Sequence, residues 1–231
     1  MEFKSETNMI ICNSKNFIFI HIPKNGGTSV SKCLERNLRP QDISLNPNFD
    51  DGWDKYAENY KKRFGLFKHS LARDVAKAMG PESFKGYYVF TFSRNPFARA
   101  YSAYTFTLRT DAKYRPNSER YREIKDMSFE EFLKSRYVQN HELLQTKLQS
   151  NWVNGSPKPV AIYRLEEVEA SLVNLMKRFY GTNDHKVIVP KANAFNEPDA
   201  WKRMSPEAEE IIRALYAEDF MTFGYSDRIE R

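Results

Sequence analysis

Apolar residues in this chain fall into two spacings. Asn16-Phe17-Ile18-Phe19-Ile20-His21-Ile22 is a nearly unbroken apolar run closed by Pro23, the pattern of a strand buried on both faces. A glycine turn follows, then a segment with Val30, Cys33, Leu34 and Leu38 on one helical face, ended by Pro40. The order repeats downstream. Gly86-Tyr87-Tyr88-Val89-Phe90-Thr91-Phe92 predicts a second strand, and Pro96 opens a helix carrying Phe97, Ala100, Tyr101, Tyr104 and Leu108. Val160-Ala161-Ile162-Tyr163 predicts a third buried strand, followed by a helix over 168–180 that stops at Gly181.

Other stretches fill in the frame. A helix is expected over about 70–79, and Ser128-Phe129-Glu130-Glu131 has the form of a capping box. Residues 205–220 read as one helix with Pro206 near its start. Residues 41–65 are polar and turn-rich, with Trp53, Tyr56, Tyr60 and Phe64 at a helical spacing that favours core packing. Residues 109–127 are dense in charge and read as a loop or an exposed helix. Strands alternating with helices predict one α/β domain over 1–231 with a mainly parallel central sheet flanked by helices, residues 1–15 being a flexible or edge extension.

Composition narrows this picture only slightly. With 36 Lys+Arg against 30 Asp+Glu the net charge is +6, which suits an anionic ligand without naming it. No nucleic-acid motif accompanies the excess, so no nucleic-acid partner is expected, and the basic residues Arg109, Lys113, Arg115, Arg120 and Arg122 read as a solvated face. No apolar run approaches the ~18 residues of a membrane span, and the first residues lack a signal core. Cys12 and Cys33 cannot make a disulfide framework or a four-cysteine zinc site; both read as reduced packing residues of a cytoplasmic protein.

Pro23-Lys24-Asn25-Gly26-Gly27-Thr28-Ser29 carries the first chemistry. A glycine turn between a strand and a helix N-terminus is an anion cradle, because free N–H groups and the helix dipole both favour negative charge. Gly26 and Gly27 let the backbone approach the ligand, Thr28 and Ser29 add hydroxyls, and Lys24 adds a mobile charge. The nucleoside-triphosphatase loop differs: its lysine sits after the glycines, directly before the hydroxyl that holds magnesium. No Asp obviously ends a later strand here to hold a metal, and no metal is expected. A transferred group with a single charge, as in sulfuryl transfer, suits lysine and backbone donors.

The same loop resembles the 5′-phosphosulfate loop of sulfotransferases that use 3′-phosphoadenosine 5′-phosphosulfate (PAPS), especially the carbohydrate, heparan/chondroitin-type family. Arg94-Asn95-Pro96-Phe97-Ala98-Arg99-Ala100-Tyr101-Ser102 is similar to that family's 3′-phosphate motif. Tyr163-Arg164-Leu165-Glu166-Glu167 and the stretch from Leu215 to Tyr225 also resemble it, so the likeness spans roughly 16–225. It implies a P-loop-like fold, PAPS as sulfuryl donor, Lys24 through Ser29 at the phosphosulfate, and Arg94 and Ser102 at the 3′-phosphate. It further implies an acceptor hydroxyl, first of all on a carbohydrate.

Attack by a hydroxyl needs a base, and histidine is the usual one near neutral pH. Related carbohydrate enzymes carry a catalytic histidine in a place similar to that of His69, so the resemblance points there, with Lys24 at the leaving group. His21 ends the first strand and has an orienting role open to it; His141 and His185 read as surface or packing residues. Arg99, Arg164 and Glu166 read as structural. The family's Golgi members begin with a membrane anchor and stem. Neither is visible in this sequence, which resembles a soluble, bacterial-type, cytoplasmic form. A metal-dependent nucleotide kinase or NTPase and a non-catalytic nucleotide-binding module stay open as alternatives.

Overall fold

The computed structural model describes residues 9–45, 54–181 and 199–229. In chain order the elements are β1 (Met9–Cys12), β2 (Phe17–Ile20), α1 (Gly27–Glu35), β3 (Ile43–Leu45), α2 (Asp54–Phe64), α3 (Ala72–Met79), α4 (Pro81–Lys85) and β4 (Tyr88–Ser93). Then come α5 (Pro96–Tyr114), α6 (Glu119–Ile124), α7 (Phe129–Lys134), α8 (Arg136–Gln139), β5 (Ala161–Arg164), α9 (Val168–Tyr180), α10 (Pro206–Leu215) and α11 (Ala217–Phe223). Packing groups the chain into two units, Met1–Ser93 with Asn151–Asn193 and Arg94–Ser150 with Ala194–Arg231.

The first unit is an α/β sheet in the order β3-β1-β2-β4-β5. β2, β4 and β5 run parallel, with Ile18 opposite Val89 and Thr91 opposite Ile162. β1 is antiparallel to both β2 and β3, so the sheet is mixed. Because side chains alternate across a strand, Ile10, Cys12, Phe17, Phe19, Phe90 and Phe92 share one face. There they pack with Val30, Cys33 and Leu34 of α1 and Leu172, Leu175 and Met176 of α9. Ile18, Ile20 and Val89 on the other face are equally buried, which is why β2 and β4 read as continuous apolar runs.

The second unit is helical around Phe97, Ala100, Ile124, Phe129, Phe132 and Leu133, with Ala208 and Ile212 of α10, Phe220 of α11 and Tyr216 between those two helices. The expected capping box exists: Ser128 Oγ accepts the Glu131 N–H, and a Glu131 carboxylate oxygen accepts the Ser128 N–H at 2.7 Å. α9 ends as expected, with Gly181 in the left-handed region (φ 75°).

Several expectations are corrected. Met9–Cys12 is neither a flexible nor an edge extension: it is a strand between β3 and β2. Residues 41–65 contribute β3, whose three residues are defined by pairing with β1, and α2. β5 is a sheet edge with alternate residues half-exposed, so the third strand is not fully buried. Of the two readings for 109–127 the helical one holds over most of the stretch, since the helix from Pro96 continues to Tyr114 and 119–124 is helical. Its Arg120 is no bare solvated charge: it forms a two-point ion pair with buried Asp111. The C-terminal helix breaks at Tyr216 into two. Phe64 is 44% exposed, so it is not core, and its ring contact is Tyr60 at 5.4 Å. Trp53 and the Tyr56 side chain lie outside the described residues.

Candidate active site

β2 and β4 are parallel and in register, so the chain leaves both at the same end of the sheet, where open α/β sheets bind ligands. The turn after β2 is shaped by two left-handed residues, Lys24 at φ 69° and Gly26 at φ 67°. For Lys24 that conformation costs roughly 1–2 kcal/mol, and strain of this kind collects at functional sites. Asn25 between them is buried, and its Nδ2 donates to Phe92 O at 2.8 Å, tying the turn to the end of β4.

Gly26 is the N-cap of α1 and offers the helix no capping side chain. Ser29 N–H bonds back to Gly26 O at 2.9 Å, whereas the Gly27 and Thr28 N–H groups have no carbonyl one turn back to accept them, and the first turn holds no acid. That donor set fits a phosphate or sulfate group. Each glycine is also required for packing. A Cβ at Gly26 would overlap Leu165, which follows β5, and a Cβ at Gly27 would overlap the His21 ring. Thr28 is half-buried and Ser29 buried in the first turn of α1.

His69 stands beside this turn. Its Nδ1 lies 2.8 Å from the main-chain carbonyl of His21, and a carbonyl only accepts. Nδ1 therefore carries the proton, and the neutral ring keeps its lone pair on Nε2, the state a base requires. The His21 and His69 rings meet edge to face at 4.5 Å. Trp152 fixes the other side of the residue, donating from Nε1 to His69 O at 2.9 Å. Burial pushes His69 down to about 4, the bond to His21 O pulls it upward, and the charges of Lys68 and Lys24 push it down. His21 is held well below the ordinary histidine value, by burial first and then by His69, Lys68 and Lys24. Both rings are thus neutral at pH 7.

In the second unit, Asn95 caps α5, its Oδ1 accepting the Phe97 N–H at 2.9 Å. Arg94, just before it, is half-buried, and its N–H donates to Gln149 Oε1 at 3.0 Å. Ser102 lies on the buried face of α5 and is 2% exposed. Arg99 is buried too, donating from Nη1 to Lys147 O at 2.9 Å, which gives it the structural place expected of it. His141 also packs: its Nδ1–H donates to Thr146 O at 2.7 Å, and Tyr216 is its ring neighbour. His185 lies outside the described residues.

The model of the family described as "Sulfotransferase family" matches residues 7–226. This chain belongs to the sulfotransferase family. No curated protein and no solved structure matches it. Membership makes it a transferase of sulfuryl groups. Among the described residues, no helix of this sulfotransferase is long and apolar enough to cross a membrane.

Of the residues singled out in the sequence, the structure brings Lys24 through Ser29 and His69 together in the first unit and puts Arg94 and Ser102 in the second. Sequence reasoning missed Trp152, Leu165 as a packing partner of the loop, and Gln149. An isolated Trp or Gln gives no local signal of a bond to a residue more than fifty positions away.

Proposed function

We propose that this sulfotransferase moves the sulfuryl group of PAPS onto an acceptor hydroxyl, on a carbohydrate first of all, as one catalytic domain. The observation that carries the reading is the His69–His21 bond beside the turn that holds Lys24. It leaves a neutral imidazole with Nε2 ready to accept a proton, next to a preorganised anion cradle.

In this reading the N–H groups at the start of α1, the Thr28 and Ser29 hydroxyls and Asn25 of the turn hold the phosphosulfate. Arg94 and Ser102 take the 3′-phosphate. His69 Nε2 removes the acceptor proton as the acceptor oxygen bonds to sulfur in line. The bond between sulfur and the bridging oxygen breaks, its electron pair stays on the 5′-phosphate, and the Lys24 ammonium offsets the charge that appears there. Positioning and fixed charges supply the catalysis, and no step calls for a metal. Lys24 and Lys68 depress His69 in the free protein. Anionic donor beside them opposes that effect, so His69 becomes a stronger base when donor is present. Cys12 and Cys33 are both free, buried thiols, and in keeping with this we place the activity in the cytoplasm.

The test is incubation of the protein with PAPS in EDTA against a panel of sugar, phenol and amine acceptors. Release of 3′,5′-adenosine diphosphate (PAP) should depend on acceptor, be largest with a sugar hydroxyl, and be lost in His69→Ala. Phosphate release from ATP that requires magnesium, with PAPS untouched, would overturn the reading in favour of an NTPase.

A further inference from the structure

Three buried polar side chains of the second unit, Gln149, Asp219 and Arg99, have no part in the chemistry described so far. Gln149 is 0% exposed, and both ends of its amide reach one distant residue. Oε1 accepts the Arg94 N–H at 3.0 Å, and Nε2 donates to the Arg94 carbonyl at 2.9 Å. A partner strand would hold a peptide in the same two-point way, but here a side chain does so. Arg94 lies between the end of β4 at Ser93 and the helix cap at Asn95. Fixing its N–H and C=O together fixes the direction of its Cα–Cβ bond, and with it the base from which the guanidinium extends.

The clamp is itself held. Both oxygens of the Asp219 carboxylate are used: Oδ2 accepts the Gln149 N–H and Oδ1 the Ser150 N–H, each at 2.9 Å. Arg99 Nη1 donates to Lys147 O, and the Tyr216 hydroxyl donates to Thr146 O at 3.0 Å. Residues 146–150 are therefore pinned from α5 and from the C-terminal helices at once. Arg99 and Asp219 are buried opposite charges that attract each other; burial still lowers the Arg99 pKa and raises that of Asp219. Both charges are thus spent on main-chain groups of one short segment, the one that carries Gln149.

We propose that Gln149 is a positioning residue for Arg94, held in register by Asp219 and Arg99, and that it sets recognition of the donor's 3′-phosphate. The proposal rests on the reading of Arg94 as a 3′-phosphate ligand. It explains why a half-buried arginine at an element boundary would need a dedicated clamp. It also adds to the 3′-phosphate machinery Gln149 and Asp219, which lie outside the 94–102 motif.

The experiment compares affinities for PAP and 5′-AMP, which differ by the 3′-phosphate, by calorimetry on the full chain. Gln149→Met keeps the volume and loses both bonds. It should lower the PAP/AMP affinity ratio by about tenfold, the loss of roughly one charge-assisted contact, while AMP affinity stays constant. In an Arg94→Ala background the same change should have no further effect on PAP, because the two residues act as a unit. A merely structural glutamine would weaken both ligands equally or add its full effect to Arg94→Ala, and either result overturns the clamp. An unchanged ratio overturns it as well. Should Gln149→Met fail to fold, Asp219→Asn, which loses one of the two accepting oxygens, should lower the ratio several-fold, and an unchanged ratio there is equally fatal. A wild-type protein that binds PAP no better than AMP would instead overturn the donor reading, and the role of the clamp with it.

Discussion

In the proposed reading the turn after β2 and the segment after β4 share one task, presenting positive charge to an anion, and they are built in opposite ways. The turn is shaped by its own residues. Lys24 and Gly26 take positive φ, Gly27 starts a helix without a side-chain cap, and neighbours fill the space beneath both glycines. Arg94 is instead shaped from a distance, by a glutamine 55 residues further on and an aspartate 70 residues beyond that. A cradle of backbone N–H groups needs local conformation, whereas a single guanidinium needs an outside frame. The contrast separates the consequences of damage. Changes in the turn should strike chemistry and folding together, and changes in the frame should strike recognition alone.

The largest effects are expected at the turn. His69→Ala should lower kcat by about 10²–10⁴-fold, the usual contribution of a positioned base, and Lys24→Ala by about 10²–10³-fold. Steady-state kinetics with PAPS and a responsive acceptor measure both. Retention of near-wild-type kcat by either variant would separate that residue from the chemistry.

Gly27→Ala tests the packing beneath the turn. Its Cβ would overlap the His21 ring, so a loss of about 1–3 kcal/mol is expected from overpacking. In a chain of this size that lowers the melting temperature by about 2–4 °C per kcal/mol. Adding His21→Ala should recover part of the loss, since the clash is with that ring; additive losses would contradict the assignment. Gly65 is the contrast. It has φ 69° but open space around it, so Gly65→Ala should cost only the conformational term of about 1–2 kcal/mol, with no rescue by His21→Ala.

Asn25→Ala removes the bond to Phe92 O and leaves that buried carbonyl without its donor. The expected loss is about 1–3 kcal/mol by denaturant titration, with a matching fall in donor affinity as the turn loosens. Unchanged donor affinity would show that the turn holds its shape without this tie.

The last consequence is a pH dependence of stability. His69 sits at about 4 in the folded chain, below its ordinary value, so the folded state favours the neutral ring. As pH falls from about 6.5 toward 4 the unfolded chain takes up a proton that the folded chain refuses, and stability declines; below 4 both are protonated and the decline stops. His69→Gln should flatten this part of the melting curve against pH. NMR titration of His69 should report its low pKa directly, and a rise when PAP is added. A value near 6.5 in the free protein would mean that Lys24 and burial do not act on it as described.

How much of this was legible in the sequence follows the same division. β2 and β4, the glycine turn and the helix ended by Gly181 were readable because apolar runs, Gly-Gly and a terminal Gly are local signals. β1 and β3 were not: the apolar run of β1 stops at Met9–Cys12, whereas that of β2 continues past the strand to Ile22, and β3 is three residues defined by pairing with β1. His69 was legible through resemblance alone; nothing in Phe67-Lys68-His69 announces the bond to His21 O or the indole of Trp152 against its carbonyl. Gln149 was invisible because its bonds run to Arg94, a contact that no spacing encodes.

The most direct test is a melting-point titration with PAP in EDTA, beside ATP with magnesium. At 100 times its dissociation constant a ligand adds about 2.7 kcal/mol of stability, enough to move the transition visibly. Stabilisation by PAP without metal, reduced in Lys24→Ala and Arg94→Ala, is the result expected of a PAPS-dependent sulfotransferase. Stabilisation by ATP with magnesium alone, and none by PAP, would contradict the account at its centre.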